Sequence, residues 1–526
     1  MTINDIILTL ILVTPLIGAI LLALLPDRGK IQQWAALVIT LITFALTLHL
    51  PAHFSSTAQS GAFQFEQNHA WISSPAIHYH IGVDAISMWL VVLTGLLAPL
   101  GVLISWRAID SRKKLFYTLL LLQQVAMYGI FISLDLFLYY GFWELSLVPM
   151  TLLIATAGRT ESRQRAAIKY FLYAFIPSAL LLVAIVWLYT RTGTFDLPTL
   201  TALAAQHGIS TSSSALWLAS VAFLFAFAVK VPVFPLHGWL VDAVMEAPTA
   251  AVIVLTGKTA LYSILRFSFA IFPAESRRIA PLMIALAAIG VVYAALLALV
   301  QRDMKKLAAY ATLSALSFIV LGFFTFTASG LTGGAYQILN ESLAGAALFM
   351  LLGLLYERYR TYDMRDYGGL AAQTPWIVTM FVITGLTLVG LPMLSSFVGE
   401  FLILSSSIKA AVPHRHLWTA LATTGVILSA AYMLTMIQRV FYADAGPRPA
   451  SIPPRDLDAR EHLALWPLAI LFLVMGLASP YWTRTIGPAV TALAAGPTST
   501  PASPDAAPAP SATTTASTQT ISGGAR

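Results

Sequence analysis

Apolar runs of about 20 residues follow one another almost from the first residue, and they leave this chain few ways to fold. Across 526 residues, 58% are hydrophobic and only 10% charged, against about 25% charged in soluble domains. Inside a bilayer each backbone amide and carbonyl needs a partner within the protein, and the helix supplies one locally. The sequence therefore predicts an all-α polytopic membrane protein. Fourteen candidate spans run at about 5–25, 33–50, 82–106, 115–134, 135–157, 168–190, 215–236, 248–272, 279–300, 306–326, 332–356, 374–410, 417–443 and 463–484.

The sequence pI is near 9.4, but the placement of the cations argues against nucleic acid as a partner. Lys and Arg gather in alternate connections: Arg107 to Lys114, Arg159 to Lys169, Arg302 to Lys306, Arg358 to Arg365, and Arg439 to Arg460. The loop Pro51–Ile81 holds none. This asymmetry marks the cytoplasmic side and, with an even number of spans, puts both termini on the periplasmic side of a bacterial inner membrane. The run Ile6–Leu25 lacks a basic flank and reads as an uncleaved first helix. With no cysteine, thiolate metal sites and iron–sulfur clusters are excluded. The ten histidines show no paired metal-ligand spacing, and His78 and His80 fall in an outer loop.

Two spans carry breaks. The seventh contains Lys230-Val-Pro232-Val-Phe-Pro235-Leu-His237, and the twelfth Gly390-Leu-Pro392-Met-Leu-Ser395-Ser396 ahead of Glu400. Each proline removes a backbone donor. Breaks at matching places in two halves point to an inverted repeat with a midplane site. Five spans in 115–272 followed by five in 279–443 give the odd number that inversion requires. The division is then 1–114 for three leading helices, 115–272 and 279–443 for the repeats, 444–485 for a last helix, and 486–526 for a Pro-, Ala-, Ser- and Thr-rich disordered tail. Simple proline kinks are the alternative reading of the breaks.

Glu144, Lys230, Lys258, Glu341 and Glu400 all lie inside apolar runs. Ionisable groups at that depth are expensive and mark ion or proton routes. Glu144 and Lys230 are expected to form an ionic pair between neighbouring helices. A carboxylate near a lysine strengthens its hold on its proton, and moving the carboxylate away favours release. Lys258 would extend the route, and His237 would relay protons near neutral pH. A static pair holding helices together is the competing reading. Asp84 and Asp135 stand at helix starts as expected caps, Arg266 is expected to snorkel or pair structurally, and Asp242 and Glu246 belong to a connection. Gly257-Lys258-Thr259 lacks the first glycine of a phosphate-binding loop, with Val252 in its place. Asn340-Glu341-Ser342 lies too deep in an apolar run to be glycosylated.

Phe142-Trp-Glu144-Leu-Ser-Leu-Val-Pro149, Lys230 to Leu240, Glu246-Ala-Pro248-Thr, Gln301 to Tyr310, Phe397-Val-Gly-Glu400-Phe and Gly82-Val-Asp84 occur in this order. In these stretches the chain resembles the antiporter-like membrane subunits, of the M type, of bacterial proton-pumping NADH–quinone oxidoreductase (respiratory complex I). That family is shared with multisubunit cation/proton antiporters. The resemblance covers the chain to about residue 485. It implies fourteen helices, inverted five-helix repeats, no cofactor in this chain, and partners among the other membrane-arm subunits, L and N. It also implies Glu144 and Lys230 as a half-channel pair, Lys258 as the link to the centre, and Glu400 as the terminal titratable group.

Departures fall on the centre. Alanine stands at Ala315, where the family usually has histidine, and Glu341 fills a place usually held by histidine or lysine. The segment from Pro248 to Lys258 is about a turn short of the usual pattern. Water would have to bridge the gap at Ala315. Three readings follow: a proton-translocating subunit of the oxidoreductase, a subunit of a cation/proton antiporter or membrane hydrogenase complex, or a structural arm subunit with impaired transport.

Overall fold

A computed structural model describes residues 3–27, 29–55, 63–206, 209, 213–255, 258–444 and 455–495. Among these, thirteen helices are long and apolar enough to cross a membrane. A fourteenth crossing is discontinuous, Pro375–Leu388 followed by Ser395–Ser407. Numbered along the chain, spans 1 to 6 are Ile7–Leu24, Lys30–His53, Ala85–Ile104, Lys113–Ile132, Leu136–Ala157 and Arg163–Thr192. Span 7 is Ser213–Lys230, continued after the prolines by the short helix Leu240–Glu246. Spans 8 to 11 are Thr249–Ile271, Pro273–Leu299, Met304–Phe324 and Ala328–Tyr359; the discontinuous crossing is span 12, and Arg415–Tyr442 and Ala459–Leu477 are spans 13 and 14.

Burial separates an axis from a rim. In spans 3, 4, 8, 10 and 11 the most apolar stretch is 83–94% buried, against 33–44% in spans 1, 2, 6, 13 and 14. The rim faces lipid or neighbouring chains with side chains such as Val183, Ile176, Ile427 and Leu473. The axis is where a polar group must be satisfied by protein.

The two halves carry the same device on opposite faces. Leu136 N donates to Phe195 O at 2.9 Å and Leu197 N to Leu134 O at 2.8 Å, around the bridge Asp135–Asp196. Met304 N donates to Tyr362 O at 2.9 Å and Met364 N to Arg302 O at 3.0 Å, around the bridge Asp303–Asp363. Each aspartate also caps the helix it precedes: Asp135 Oδ1 accepts from Phe137 N at 2.8 Å, Asp196 from Thr199 N at 3.0 Å, Asp303 from Lys306 N at 2.9 Å and Asp363 from Arg365 N at 3.0 Å. The first bridge ties the second and third spans of 113–271 beside the outer hairpin, and the second does so for 273–442 among the arginines of the basic side. Breaks fall in the fourth span of each set, and π-helical turns, Ile264–Ser268 and Gln438–Tyr442, end the fifth. These correspondences are those of an inverted repeat.

Three features depart from the sequence reading. The outer loop carries an antiparallel hairpin, Gln64–Ile72 with Ile77–Val83. His80 fastens it, with Nδ1 2.6 Å from Asp196 Oδ1 and Nε2 2.7 Å from Glu66 Oε1. The boundary at 486 is also displaced, because a helix Ser479–Ala495 follows span 14. It is held by Trp89 Nε1 donating to Thr485 Oγ1 at 3.2 Å and by Arg277 Nη2 donating to Ala494 O. The remainder of the tail lies outside the described residues. Finally, Asp242 sits within the helix Leu240–Glu246, paired with Lys169 at 2.6 Å, rather than in an open connection.

Candidate functional site

Span 5 is helical over Leu136–Leu145 and again over Leu147–Ala157, with Ser146 at the joint. That joint places two groups of different character side by side. Glu144 accepts a very short hydrogen bond from Ser178 Oγ, beside Pro177 of span 6. Lys230, at the end of the first half of span 7, donates from Nζ to Ser146 Oγ at 2.8 Å and lies 3.7 Å from the Trp143 ring centroid. Pro232 and Pro235 release the chain just beyond it, so the lysine is the last residue of its helix.

The expected ion pair is therefore not a contact pair. Glu144 and Lys230 feel each other's charge, yet no nitrogen–oxygen approach within 4 Å joins them. Each is held by a serine, and the Trp143 face supplies the lysine with π-electron density. An ammonium on a ring face and one hydroxyl keeps the freedom to turn toward the carboxylate. A buried bidentate pair would not.

Lys258 stands apart on span 8. It is only 2% exposed, and its Nζ donates to Ile253 O at 3.2 Å. It borders a cavity of about 20 Å³ shared with Gln124 and Thr94, about the room one water needs. Gln124 Nε2 donates to Tyr128 OH at 3.0 Å, while its Oε1 is buried without a partner.

The second half gathers Glu341, Glu400 and Tyr432. Glu341 of span 11 is 6% exposed and lies close enough to Glu400 for their charges to interact. Tyr432 of span 13 is near both. Gly390, at φ +75° in the break of span 12, lies against the Glu400 carboxylate, where a side chain would collide. Glycine adopts that backbone freely and leaves the acid its space.

His237 is not brought into either cluster. Its ring stacks on Phe234 at 5.8 Å and meets Tyr293 at 5.3 Å, and its Nδ1 is buried without a partner. Arg266 pairs with Asp84 and donates from Nε to Tyr262 OH at 3.1 Å. Asp84 meanwhile caps span 3 with Ser87, as its position predicts. Among the described residues, no group of three or more His, Asp or Glu is placed to hold a metal.

Sequence reasoning missed the polar partners. Ser146, Ser178, Trp143 and Gln124 are neutral, so charge in an apolar run cannot find them. In the sequence Lys305 is only one of the cations of a basic connection. It is 4% exposed, and its Nζ donates to the carbonyls of Ala247 at 2.8 Å and Met245 at 3.2 Å, pinning the entry to span 8.

Residues 133–429 match the family described as NADH:quinone oxidoreductase/Mrp antiporter, transmembrane. NADH-quinone oxidoreductase subunit M of Rhodobacter capsulatus is 36% identical over 499 residues, 92% of this chain and 95% of that one. Its Escherichia coli K12 counterpart is 36% identical, over 85% of this chain and 89% of the relative. Among solved structures, respiratory complex I from Thermus thermophilus with bound NADH matches with a TM-score of 0.82 at 30% identity, covering 93% of this chain and 99% of that one. The Mrp complex from Dietzia sp. shares the fold at 22% identity, with a TM-score of 0.82 and coverage of 94% and 98%. By descent as well as by fold, this chain belongs to the NADH:quinone oxidoreductase/Mrp antiporter family of membrane subunits.

Proposed function

We propose that the chain is a proton-translocating membrane-arm subunit of a bacterial NADH–quinone oxidoreductase, converting redox energy released elsewhere in the complex into proton movement. The observation that carries this is the split pair: Glu144 on Ser178, and Lys230 on Ser146 and Trp143, unjoined at the end of a broken helix. Burial makes a charge state costly unless a partner is near. When the lysine turns to the carboxylate, the shared proton is retained; when it returns to Ser146, the proton is easier to release. Lys258 lies on the way to the second half, where Glu341 and Glu400 can take a proton up. Carboxylates and ammonium groups alone perform these steps, so the chain needs no redox group of its own.

On this reading its partners are further antiporter-like subunits, L and N, and lipid. It lies in the inner membrane with both termini on the periplasmic side. Relatives of subunit M type over most of the chain support this more than the antiporter reading, which rests on the shared fold. The structural-subunit reading draws on Ala315. Affinity purification of the tagged chain, with its companions identified and NADH-driven quinone reduction and proton uptake measured in vesicles, tests the assignment. Companions of an oxidoreductase and coupled uptake are expected. Recovery with antiporter subunits and no NADH oxidation contradicts it.

A further inference from the structure

Lys305 is a buried cation that the transfer steps above do not use. Its root is fixed: Met304 N donates to Tyr362 O at 2.9 Å, in the bridge Asp303–Asp363 that opens span 10. Its head crosses to the other half. Nζ donates to Ala247 O at 2.8 Å and Met245 O at 3.2 Å, at the end of the helix that continues span 7. Carbonyls at a helix end have no partner within the helix, and a buried ammonium needs hydrogen-bond partners. Among the described residues Lys305 forms no ion pair, so these carbonyls are what satisfies it. Glu246 stands between them and faces the first half. Its carboxylate accepts from Thr160 N at 2.9 Å, Thr160 Oγ1 at 2.6 Å and Ser162 Oγ at 2.7 Å, in the connection that follows span 5. Arg159 of the same connection lies over the rings of Tyr356 and Tyr362, at 5.2 and 4.8 Å, at the end of span 11 and just beyond it. Met245 to Ala247 thus knot together the spans that hold Glu144, Lys230 and Lys258, and fasten them to the second half. A cavity of about 270 Å³, bordered among others by Arg159, Glu246, Thr249, Lys305 and Gly353, leaves room for the joint to shift once that hold is lost.

We propose that Lys305 is a positioning residue for proton transfer: through two backbone carbonyls it holds the joint between spans 7 and 8 fixed against the second half. Lys230 and Lys258, on either side of that joint, then keep their places relative to Glu144 and Glu341. The proposal deepens the function above and rests on it. No proton passes through Lys305 in this role. A tie of another chemistry across the same boundary can therefore stand in for it, and the structure offers one. A Cβ at Gly353 of span 11 would lie 3.3 Å from Thr249 Cβ, at the start of span 8, just under the spacing of about 3.5–4.5 Å found in disulfides. The chain has no cysteine of its own, so T249C/G353C introduces a single pair into it.

The test compares K305M, K305R, T249C/G353C and the triple variant K305M/T249C/G353C with E144Q, each in the assembled complex reconstituted in vesicles. Proton uptake is read beside electron transfer to a soluble acceptor. K305M keeps the length of the side chain and removes the donor. Since a misplacement of about 1 Å can cost up to 100-fold in rate, it is expected to lower uptake by about tenfold or more, with transfer to the soluble acceptor unchanged. K305R still donates to the carbonyls and is expected to recover part of the uptake. The triple variant should pump as poorly as K305M when reduced, and regain most of the wild-type uptake when its disulfide is formed. Wild-type uptake in an assembled K305M, or no gain on oxidising the triple variant, overturns the proposal. If K305M does not assemble, T249C/G353C alone decides: its disulfide should form and leave uptake unchanged. Loss of uptake on oxidation, or a pair that never forms the bond, shows that the joint is not held fixed and overturns the proposal. If E144Q is inactive in the same assay, the translocation reading stands without it. If E144Q pumps at the wild-type rate, both fall.

Discussion

Ser146 is the cheapest place to disturb the split pair, because removing it leaves both charges in place. The Lys230 ammonium has two contacts, the Ser146 hydroxyl at 2.8 Å and the Trp143 face at 3.7 Å. A hydrogen bond to a charged group contributes about 1.5–3 kcal/mol, and each 1.4 kcal/mol is tenfold in a population. Ser146→Ala should therefore shift the lysine from its resting contact toward Glu144 by roughly 10- to 150-fold. The pair is then held closed, and the step that frees the proton becomes slow. In reconstituted vesicles, S146A is expected to lose about tenfold or more of its proton uptake while the complex assembles normally. Ser146→Thr keeps the hydroxyl and should keep most of the rate. Wild-type uptake by S146A, in a preparation where E144Q is inactive, refutes the idea that the serine contact sets the resting position of the lysine.

Three further outcomes follow from other contacts. Asp84→Asn strands Arg266, whose partner it is; breaking one side of a buried pair costs about 3–5 kcal/mol. The solubilised complex should therefore melt earlier, with part of the loss recovered in the double variant D84L/R266M, and an unchanged melting curve for D84N contradicts the buried pairing. Gly390→Ala places a methyl group against the Glu400 carboxylate at a backbone φ of +75°, so proton uptake should fall with assembly intact; normal uptake would show that Glu400 has room to spare. The outer hairpin should be pH-sensitive through His80. Burial alone would push its imidazole down, but Asp196 and Glu66 outweigh that and raise it above its usual value. Docking is thus strongest below the ordinary histidine pKa of about 6.5 and weakens as pH rises through the raised value. Asp196 has the opposite sense: despite burial its hydrogen bonds hold it below the carboxylate range, so its share is lost only as pH falls through that depressed value. Hydrogen exchange of Gln64–Val83 should quicken from mildly acid to alkaline pH beyond the intrinsic rate increase, and His80→Ala should abolish the excess. An equal excess in the variant rules the clamp out.

Much of the architecture was legible because the bilayer makes it so. Apolar length gives the spans. Pro232, Pro235 and Pro392 mark the breaks, since no other residue removes a backbone donor. Leu-Asp135-Leu, Phe-Asp196-Leu, Arg-Asp303-Met and Tyr-Asp363-Met recur at nearly equal spacing within each half, and they are the residues that form the paired bridges. A three-residue echo is too short to stand out until its geometry is seen. The site was legible only through its charges. Glu144 and Lys230 announced themselves, and Pro149 marks a helix joint near Ser146 by withholding the donor that Leu145 O would take, but that serines hold the two charges apart is seen only in the structure. Nor could the sequence tell that His237, titratable and beside a break, faces aromatic rings instead of the lysine.

The account stands or falls on the Glu144 carboxylate. Glu144→Gln keeps an oxygen to accept from Ser178 and removes only the charge that calls Lys230 across. Protons taken up per electron transferred, measured together in vesicles holding the whole complex, test this directly. The account predicts an assembled E144Q complex whose proton uptake and coupled electron transfer both collapse. An assembled complex that pumps at the wild-type ratio would contradict it.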